Sequence, residues 1–417
     1  MKVIRLALHW QMVIALVLGS LLGYLFSDCY GVWGNVINGF GNMFLHAINM
    51  VVIPLVFLST VLSVSTMSDS RSMGRIAIKT FLYFVITALV AAIVGIVVTD
   101  SLRPGYGTIR IEADAGIVLE AAYAADSMSV VDKIVDIVPS NIFKAFVSGD
   151  ILPVILFSIL LGYFITKVHG ERQNTINVFF QSFNDVIMAI TSFIIQFAPM
   201  GIFAVVMVMV GKQANDVGSL KACVKNFAFF VIVVWISLII VGGIVLPVMI
   251  GFIAKISPVR HLKQIYSALM VAFSTSSSYS ALPLMLNDAK DKLGISNNIV
   301  AFTIPLGITF NKIGTVVYEC VAVIFVSQAV GADFTFLQQM SLVGVSIITV
   351  LGAPSVPMAG VIVLAILLKS MGLPADYIGM FMAIDILCDM PKTLLNAYSA
   401  SCSAVIVARS EGEILKI

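Results

Sequence analysis

Long apolar stretches separated by short polar connections form most of this sequence. A helix needs about 20 apolar residues to cross the hydrocarbon layer of a membrane. Six stretches upstream of residue 255 are candidates for such spans: residues 6–26, 36–64, 76–98, 151–168, 178–210 and 227–253. The pattern therefore predicts a polytopic membrane protein built from α-helices.

The charges of the connections indicate how the spans are oriented. Basic residues cluster after the second, fourth and sixth stretches, whereas the long connection at residues 100–139 is mostly acidic. Basic connections stay on the cytoplasmic side of a membrane. We therefore expect a multi-pass protein of the cytoplasmic (inner) membrane, embedded in the lipid bilayer, with both termini in the cytoplasm.

From residue 265 onward the apolar pattern is interrupted. Residues 274–278 are serine and threonine, residues 307–315 contain a polar break, and residues 352–360 are rich in glycine and proline. Four polar residues lie inside the last apolar stretch: Asp385, Asp389, Lys392 and Asn396. Broken backbone at membrane depth is tolerated where protein or a water-filled cavity satisfies its polar groups. Paired interruptions also point to the binding site of a transporter, so we expect a substrate site here.

Composition excludes several other classes of protein. The 417 residues are 60% hydrophobic and 11% charged, whereas soluble domains carry about 25% charged residues. The formal net charge is +2 and no basic stripe is interleaved with aromatics, so no nucleic-acid partner is expected. The five cysteines stand singly, with neither metal-ligand spacing nor a disulfide framework. We expect no metal site.

The interrupted segments resemble the dicarboxylate/amino acid:cation symporter family, which includes the glutamate transporters. Matching motifs occur in order at residues 49–54, 138–141 and 197–201, and they become dense from Ser274 to Glu411. The resemblance implies an all-α membrane protein with about eight transmembrane helices, two re-entrant helical hairpins and inverted repeats. It also implies a homotrimer, in which each subunit has a scaffold and an elevator-type transport domain.

The resemblance divides the chain between these two units. The scaffold takes residues 1–75 (helices 1 and 2) and 99–211 (the external loop with helices 4 and 5). The transport domain takes residues 76–98 (helix 3), 212–257 (helix 6), 258–294 (hairpin 1), 295–330 (helix 7), 331–374 (hairpin 2) and 375–417 (helix 8 and a cytoplasmic tail). Hairpin 1 is expected to enter from inside, and hairpin 2 from outside as the gate.

The resemblance also assigns substrate contacts. Asp389 matches the aspartate that receives the α-amino group, and Asn396 matches the asparagine that meets the α-carboxylate. Lys392 stands where carriers of acidic amino acids have an arginine, but lysine lacks the guanidinium fork. As an alternative, Asp389 and Lys392, three residues apart, neutralise each other so that the helix can insert. The other matched substrate positions are Ser276, Ser277, Ser278, Thr315, Val356 and Gly360, for each of which close packing of small residues is an alternative.

The positions that hold sodium in the family depart most from its pattern. Where the family reads Asn-Met-Asp-Gly-Thr, this chain has Lys312 and Ile313 after Asn311. The partners of that sodium site on the third span align with Phe84, Thr87 and Ala88, and the aspartate of a second site is Ala400. Sodium needs oxygen ligands as other hard cations do. No cofactor and no strong sodium site are therefore expected.

Protons are the expected coupling ion. Glu319 matches the position where proton-carrying members keep a glutamate, and a buried carboxyl group can load and release a proton near neutral pH. Lys312 either replaces a mobile sodium ion with a fixed ammonium or pairs structurally with Asp385 or Glu319. In the alternative for Glu319, this residue is tied permanently to Lys312. Pro391 is predicted to free the carbonyl of Leu387 and to bend the last helix.

The leading prediction is a secondary active symporter of an amino acid, with acidic ones favoured, that is sodium-independent and proton-coupled. Asp389 favours amino acids, because dicarboxylate members lack a carboxylate there. Alternatives are a C4-dicarboxylate symporter, a neutral amino acid carrier, an uncoupled exchanger, a leak channel and a substrate-binding receptor. An enzyme is not expected, because the four histidines lie in or near connections and no Ser/His or paired-Asp arrangement is visible.

Overall fold

The computed structural model of the chain describes nine ranges. They are residues 8–27, 30–65, 71–106, 138–148, 151–168, 170–213, 217–352, 359–374 and 377–416. Within these ranges the chain is helical, with turns and short connections and no strand. Most of the acidic connection at residues 100–139 and the tip of predicted hairpin 2, with Val356, lie outside the described residues.

The helices of the first half follow the predicted apolar stretches. They are α1 (Leu8–Leu25), α2 (Tyr30–Ser65), α3 (Arg71–Leu102), α4 (Ile142–Ser148), α5 (Ile151–Ile165), α6 (Glu171–Gln196), α7 (Ala198–Gln213) and α8 (Val217–Ile240). Helix α8 continues through a π-helical turn (Val241–Val245), an α-helical turn (Leu246–Met249) and a second π-helical turn (Ile250–Ala254).

The prediction that residues 178–210 form one span is wrong. The helix ends at Gln196 and a new one begins at Ala198, with Phe197 between them. Pro199 has no backbone N–H to donate to the preceding turn, which breaks the helical ladder at this point. The presence of Pro199 in the sequence could therefore have predicted this break.

The second half contains helices that pair with their neighbours. They are α9 (Pro258–Thr275), α10 (Ser278–Asn287) with a π-helical turn (Asp288–Lys292), α11 (Asn297–Phe310), α12 (Ile313–Val330), α13 (Phe336–Gly352), α14 (Ala359–Ser370) and α15 (Ile378–Ser410). Helix α9 packs against α10, and α13 packs against α14. The predicted break between the apolar halves of residues 297–330 is confirmed at Asn311 and Lys312.

Four described segments have the length and hydropathy of membrane spans. They are Arg75–Leu102, Glu171–Gln196, Lys225–Ala254 and Asn297–Val330. Shorter apolar helices accompany them, including Ile14–Leu25 and Phe336–Val350. The chain is therefore an all-α, multi-pass membrane protein.

The buried apolar side chains form two main clusters. The larger, which we call the main core, joins α3 with α8 through α15. The smaller, the second core, joins α1, α2, α5, α6 and α7 and touches α14 and α15 through Val361 and Met382. Helix α12 is apolar on all sides and is buried from Ile313 to Ala329, as expected of a helix surrounded by protein. Its polar residues are consequently held at the centre of the main core.

The last described residues fasten α15 to the start of α3. The Glu411 carboxylate accepts hydrogen bonds from Lys79 Nζ at 2.5 Å and from Arg75 Nε at 3.1 Å. Lys79 also donates to the carbonyl of Ser410. These contacts fix the end of the helix that carries Asp385, Asp389, Lys392 and Asn396.

Candidate functional site

The break between α11 and α12 is held by side chains from two other helices. Asn311 Nδ2 donates to Ser399 Oγ at 2.8 Å, and Asn311 Oδ1 accepts from Thr87 Oγ1 at 3.2 Å. The Tyr83 hydroxyl lies 3.2 Å from Ser399 Oγ. Helices α3, α12 and α15 therefore meet at Asn311, where protein groups satisfy the polar groups of the broken segment.

Helix α12 begins in very close contact with α15. Gly314 N donates to Asn396 Oδ1 at 2.8 Å, and a Cβ atom on Gly314 would lie 2.5 Å from the carbonyl oxygen of Lys392. Only glycine permits this approach. Thr315 is buried next to this contact. The oxygen of Asn396 has a structural role, which makes its Nδ2 donor the part of the side chain suited to a substrate carboxylate.

The Lys392 ammonium lies in a cage of acidic and aromatic groups. Its Nζ is 2.6 Å from Asp385 Oδ1, 3.4 Å from Asp389 Oδ1 and 4.0 Å from the centre of the Tyr318 ring. Lys392 is 1% exposed, and the side chain of Asp389 is 22% exposed. Asp389 is thus the member of this group that presents a carboxylate outward.

The second helix pair covers this cage. Gly360, in the first turn of α14, lies so close that a Cβ atom there would be 3.1 Å from Lys392 Nζ and 3.9 Å from Asp385 Oδ1. The arm that carries Gly360 can therefore rest directly on the ammonium. A Cβ atom at position 360 would require a shift of a few tenths of an ångström by Lys392 or by the arm.

The ion pairs decide between some of the alternatives raised by the sequence. The pair between Asp389 and Lys392 exists, but Asp385 is the closer partner of Lys392. The two residues are seven positions apart, so they lie on one face of α15. Asp385 therefore has Lys392 as an ion-pair partner.

Glu319 is completely buried near both lysines. It is 0% exposed, and neither of its carboxylate oxygens has a hydrogen-bond partner among the described residues. It interacts electrostatically with Lys392 and Lys312. A buried carboxyl group without hydrogen bonds is costly when ionised unless charges or a proton compensate it. The position therefore suits a group whose protonation changes during a functional cycle.

The positions matched to sodium sites are mostly apolar. Phe84, Ala88 and Lys312 line a small cavity with other apolar side chains. Ile313 is fully buried, and Ala400 packs so tightly that its Cβ is 2.7 Å from a Cβ built on Gly307. Within the described ranges, no group of three or more His, Cys, Asp or Glu residues is arranged to hold a metal ion. Of these matched positions, Thr87 has a hydroxyl, and it bonds to Asn311.

The serine run connects α9 and α10. Ser276 has left-handed backbone angles, with φ 49 and ψ 31, and Ser277 caps α10 by accepting from Ser280 N at 3.4 Å. Ser278 begins α10. In the part of the chain described, the hydrogen bonds of these serines stay within the helix pair, and their role in a substrate site stays a prediction.

Three side chains near the site were not expected from the sequence. Tyr318 lies three positions after Thr315, on the same face of α12, so its contact with the site could have been anticipated. Trp235 Nε1 donates to the carbonyl of Leu387 at 3.1 Å, which is the carbonyl that Pro391 frees. The third, His261, is buried in α9 rather than lying in a connection, and its Nε2 is 2.9 Å from Ser401 Oγ.

The His261 and Ser401 pair resembles part of a catalytic triad only superficially. Both residues are at most 1% exposed, and a nucleophile must be reached by its substrate. The pair instead joins α9 to α15. The two residues are 140 positions apart in the chain, so local spacing could not predict their contact.

Comparison with known proteins supports a shared architecture along nearly the entire chain. A model described as the sodium:dicarboxylate symporter family matches residues 8–410. The proton/sodium-glutamate symport protein of Bacillus subtilis (strain 168) is 32% identical over 417 residues, which cover 99% of this chain and 94% of the relative. The protein of the same description from Geobacillus stearothermophilus is 32% identical, covering 98% of this chain and 96% of the relative. The C4-dicarboxylate transport protein 3 of Bradyrhizobium diazoefficiens is 31% identical, covering 98% and 89%.

The contact at Gly314 leads to a test of how tightly α12 and α15 must pack. We expect Gly314→Ala to destabilise the protein by about 1–3 kcal/mol, the usual cost of overpacking, and to weaken substrate binding because it moves Lys392. Gly344→Ala is the matched control, since a Cβ atom at Gly344 in α13 meets nothing within 4 Å. Thermal unfolding in detergent measures the stability of both variants. Equal stability of the two variants would contradict the contact.

Proposed function

Because the chain belongs to the sodium:dicarboxylate symporter family, we propose that it is a secondary active symporter of an acidic amino acid, driven by protons and independent of sodium. The observation that carries this proposal is the cluster of Asp385, Asp389 and Lys392 under Gly360. It places a carboxylate and an ammonium side by side at a broken-helix site. An amino acid carries the complementary pair of charges.

The negative charge of Asp389 favours an amino acid over a dicarboxylate as the substrate. Its partly exposed carboxylate attracts the ammonium group of an amino acid through a charge-assisted hydrogen bond, whereas it repels either end of a dicarboxylate. The relatives include proteins named for glutamate and for C4-dicarboxylates, so their names allow both substrates. The local charge favours the amino acid.

The geometry suggests how a substrate is received. The substrate ammonium takes the place of Lys392 Nζ at Asp389, where the existing contact is the longer one at 3.4 Å. Lys392 stays paired with Asp385 at 2.6 Å and turns its remaining donors toward a substrate carboxylate. Asn396 Nδ2 supplies a further donor, and the α14 arm closes over the bound molecule through Gly360.

Sodium independence is supported by the residues around Lys312. The small cavity beside this lysine is lined mainly by carbon atoms, including those of Phe84 and Ala88. A sodium ion prefers several oxygen ligands, which these side chains do not offer. The Lys312 ammonium provides positive charge in the same place, so the carrier does not depend on a cation from solution.

Proton coupling is supported by Glu319. Its carboxylate is enclosed in the main core without hydrogen bonds among the described residues. A proton neutralises it when substrate is bound, and the nearby lysines stabilise its charge when the proton has left. Glu319 is therefore the proposed proton-carrying group.

The family membership and the two apolar cores support an elevator arrangement. The main core corresponds to the proposed transport domain and the second core to the proposed scaffold. In this proposal the helix pairs α9 with α10 and α13 with α14 are re-entrant hairpins. The assembly is a homotrimer of the inner membrane with cytoplasmic termini, and the domain boundaries are those given by the resemblance.

Imposed ion gradients test the coupling directly. In proteoliposomes, we expect an acid-outside pH gradient to drive accumulation of glutamate or aspartate, and a sodium gradient at equal pH to drive none. Glu319→Gln should abolish accumulation by the pH gradient while exchange of labelled for unlabelled substrate continues, since no proton can be loaded. Glu171→Gln, at an exposed position of α6, is the control. Accumulation driven only by sodium would overturn the proposal, and non-saturating flux would indicate a channel.

A second test concerns the substrate. A charge-assisted hydrogen bond contributes about 1.5–3 kcal/mol, so Asp389→Asn should weaken glutamate binding roughly tenfold to hundredfold. Asp291→Asn, which removes an exposed carboxylate, should leave affinity unchanged. Isothermal titration with glutamate, aspartate and succinate measures these affinities. If the unmodified protein binds succinate and no amino acid, the role of Asp389 is wrong.

A further inference from the structure

Five ionisable side chains form one buried group in the main core. Three are carboxyl groups (Glu319, Asp385 and Asp389) and two are ammonium groups (Lys312 and Lys392), linked by ion pairs and electrostatic contacts. Four of the five are at most 7% exposed. Net charge in such a low-dielectric place is costly. The balance of positive and negative charges within the group therefore affects the free energy of moving it across the membrane.

Among the residues that the structure describes, the other ionisable groups nearby do not change this balance. Cys320, Cys388 and Tyr318 are fully buried, and buried thiols and phenols remain neutral because ionising them in a low-dielectric place is costly. Asp288 is also buried, but it pairs with Lys292 at 2.7 Å, at the far end of α10. The buried His261 contacts Ser401 and Tyr398 rather than a carboxylate.

The two lysines compensate two of the three carboxyl groups, and one negative charge is left over. Lys392 lies between Asp385 and Asp389 and is within ion-pair distance of both. Lys312 interacts with Glu319, the carboxyl group without hydrogen bonds. Lys312 therefore favours loss of the Glu319 proton once the substrate has left. The empty group then carries a charge of minus one.

The loaded group has the same charge. A glutamate or aspartate molecule adds one negative charge, and one proton on Glu319 adds one positive charge, so the total stays at minus one. We propose that Lys312 and Lys392 are built-in counter-cations that make transport electroneutral, with one proton carried per monoanionic amino acid. This inference rests on the proposed proton-coupled function and adds its stoichiometry and its response to voltage.

Lys312 is the residue that allows the empty carrier to return across the membrane without a proton. Without its ammonium, Glu319 keeps its proton in the empty state, because the ionised carboxyl has lost a compensating charge. The proton then returns with the empty carrier. Net transport moves one negative charge without a proton, so an inside-negative potential opposes uptake.

The experiment compares steady-state accumulation of labelled glutamate in proteoliposomes at a fixed pH gradient, with and without an inside-negative potential set by potassium and valinomycin. For the unmodified protein we expect the same accumulation at both potentials and one proton entering per glutamate, recorded with a lumenal pH dye. A cycle that moved one net charge would instead change accumulation about tenfold for each ~59 mV.

Three variants make the result specific. Lys312→Met should lose accumulation by the pH gradient and become sensitive to potential, whereas Lys312→Arg, which keeps the charge, should behave like the unmodified protein. Lys263→Met removes an exposed lysine and should change nothing. Glutamate binding by each variant shows that it has folded. If Lys312→Met fails to bind, the potential response of the unmodified protein tests the stoichiometry, and loss of coupling in a Lys312→Arg protein that binds glutamate would contradict the role of the charge at position 312.

The outcomes separate the two proposals. If a pH gradient drives no accumulation in the unmodified protein, the proposed proton coupling fails. If the pH gradient drives accumulation but potential also changes it about tenfold per ~59 mV, proton coupling stands and the electroneutral stoichiometry is wrong. Continued coupling in a folded Lys312→Met protein would also overturn the role of Lys312.

Discussion

The contact between the Lys392 ammonium and the Asp385 carboxylate is the interaction on which the site depends. At 2.6 Å and almost complete burial, Asp385 is the closer carboxylate partner of the Lys392 ammonium, and the pairing matters because a buried unpaired ion costs several kcal/mol. The pair fixes the long lysine side chain below Gly360 and beside Asp389. The proposed substrate recognition, the proposed closure of the α14 arm and the proposed charge balance all depend on that one position.

The surrounding backbone is shaped to allow this contact. Helix α12 begins at Ile313, directly after the break at Asn311 and Lys312, so its first turn can lie against α15, and Gly314 permits an approach that any side chain would prevent. Asn311 binds α3 and α15 at the same point. The broken helix therefore shapes the candidate site and holds it in the centre of the main core.

Much of this arrangement was visible in the sequence, and the rest depends on contacts between distant segments. Apolar length predicted most helices, and polar residues within an apolar stretch predicted the break at Asn311 and Lys312. From spacing alone, Asp385 could not be preferred over Asp389 as the partner of Lys392, because separations of three and of seven residues both place side chains on the same helix face. Gly360 reaches the ammonium only through packing of α14. Likewise, nothing in the local sequence showed that the oxygen of Asn396 is taken by Gly314.

A double-mutant cycle on Asp385 and Lys392 tests the central interaction most directly. Thermal and denaturant unfolding in detergent would be compared for Asp385→Asn, Lys392→Met and the double variant. Because removing one partner leaves an uncompensated buried charge, we expect each single change to cost about 3–5 kcal/mol and the double change to cost much less than the sum of the two. Strictly additive losses would contradict the account, since they would show that the two residues do not depend on each other.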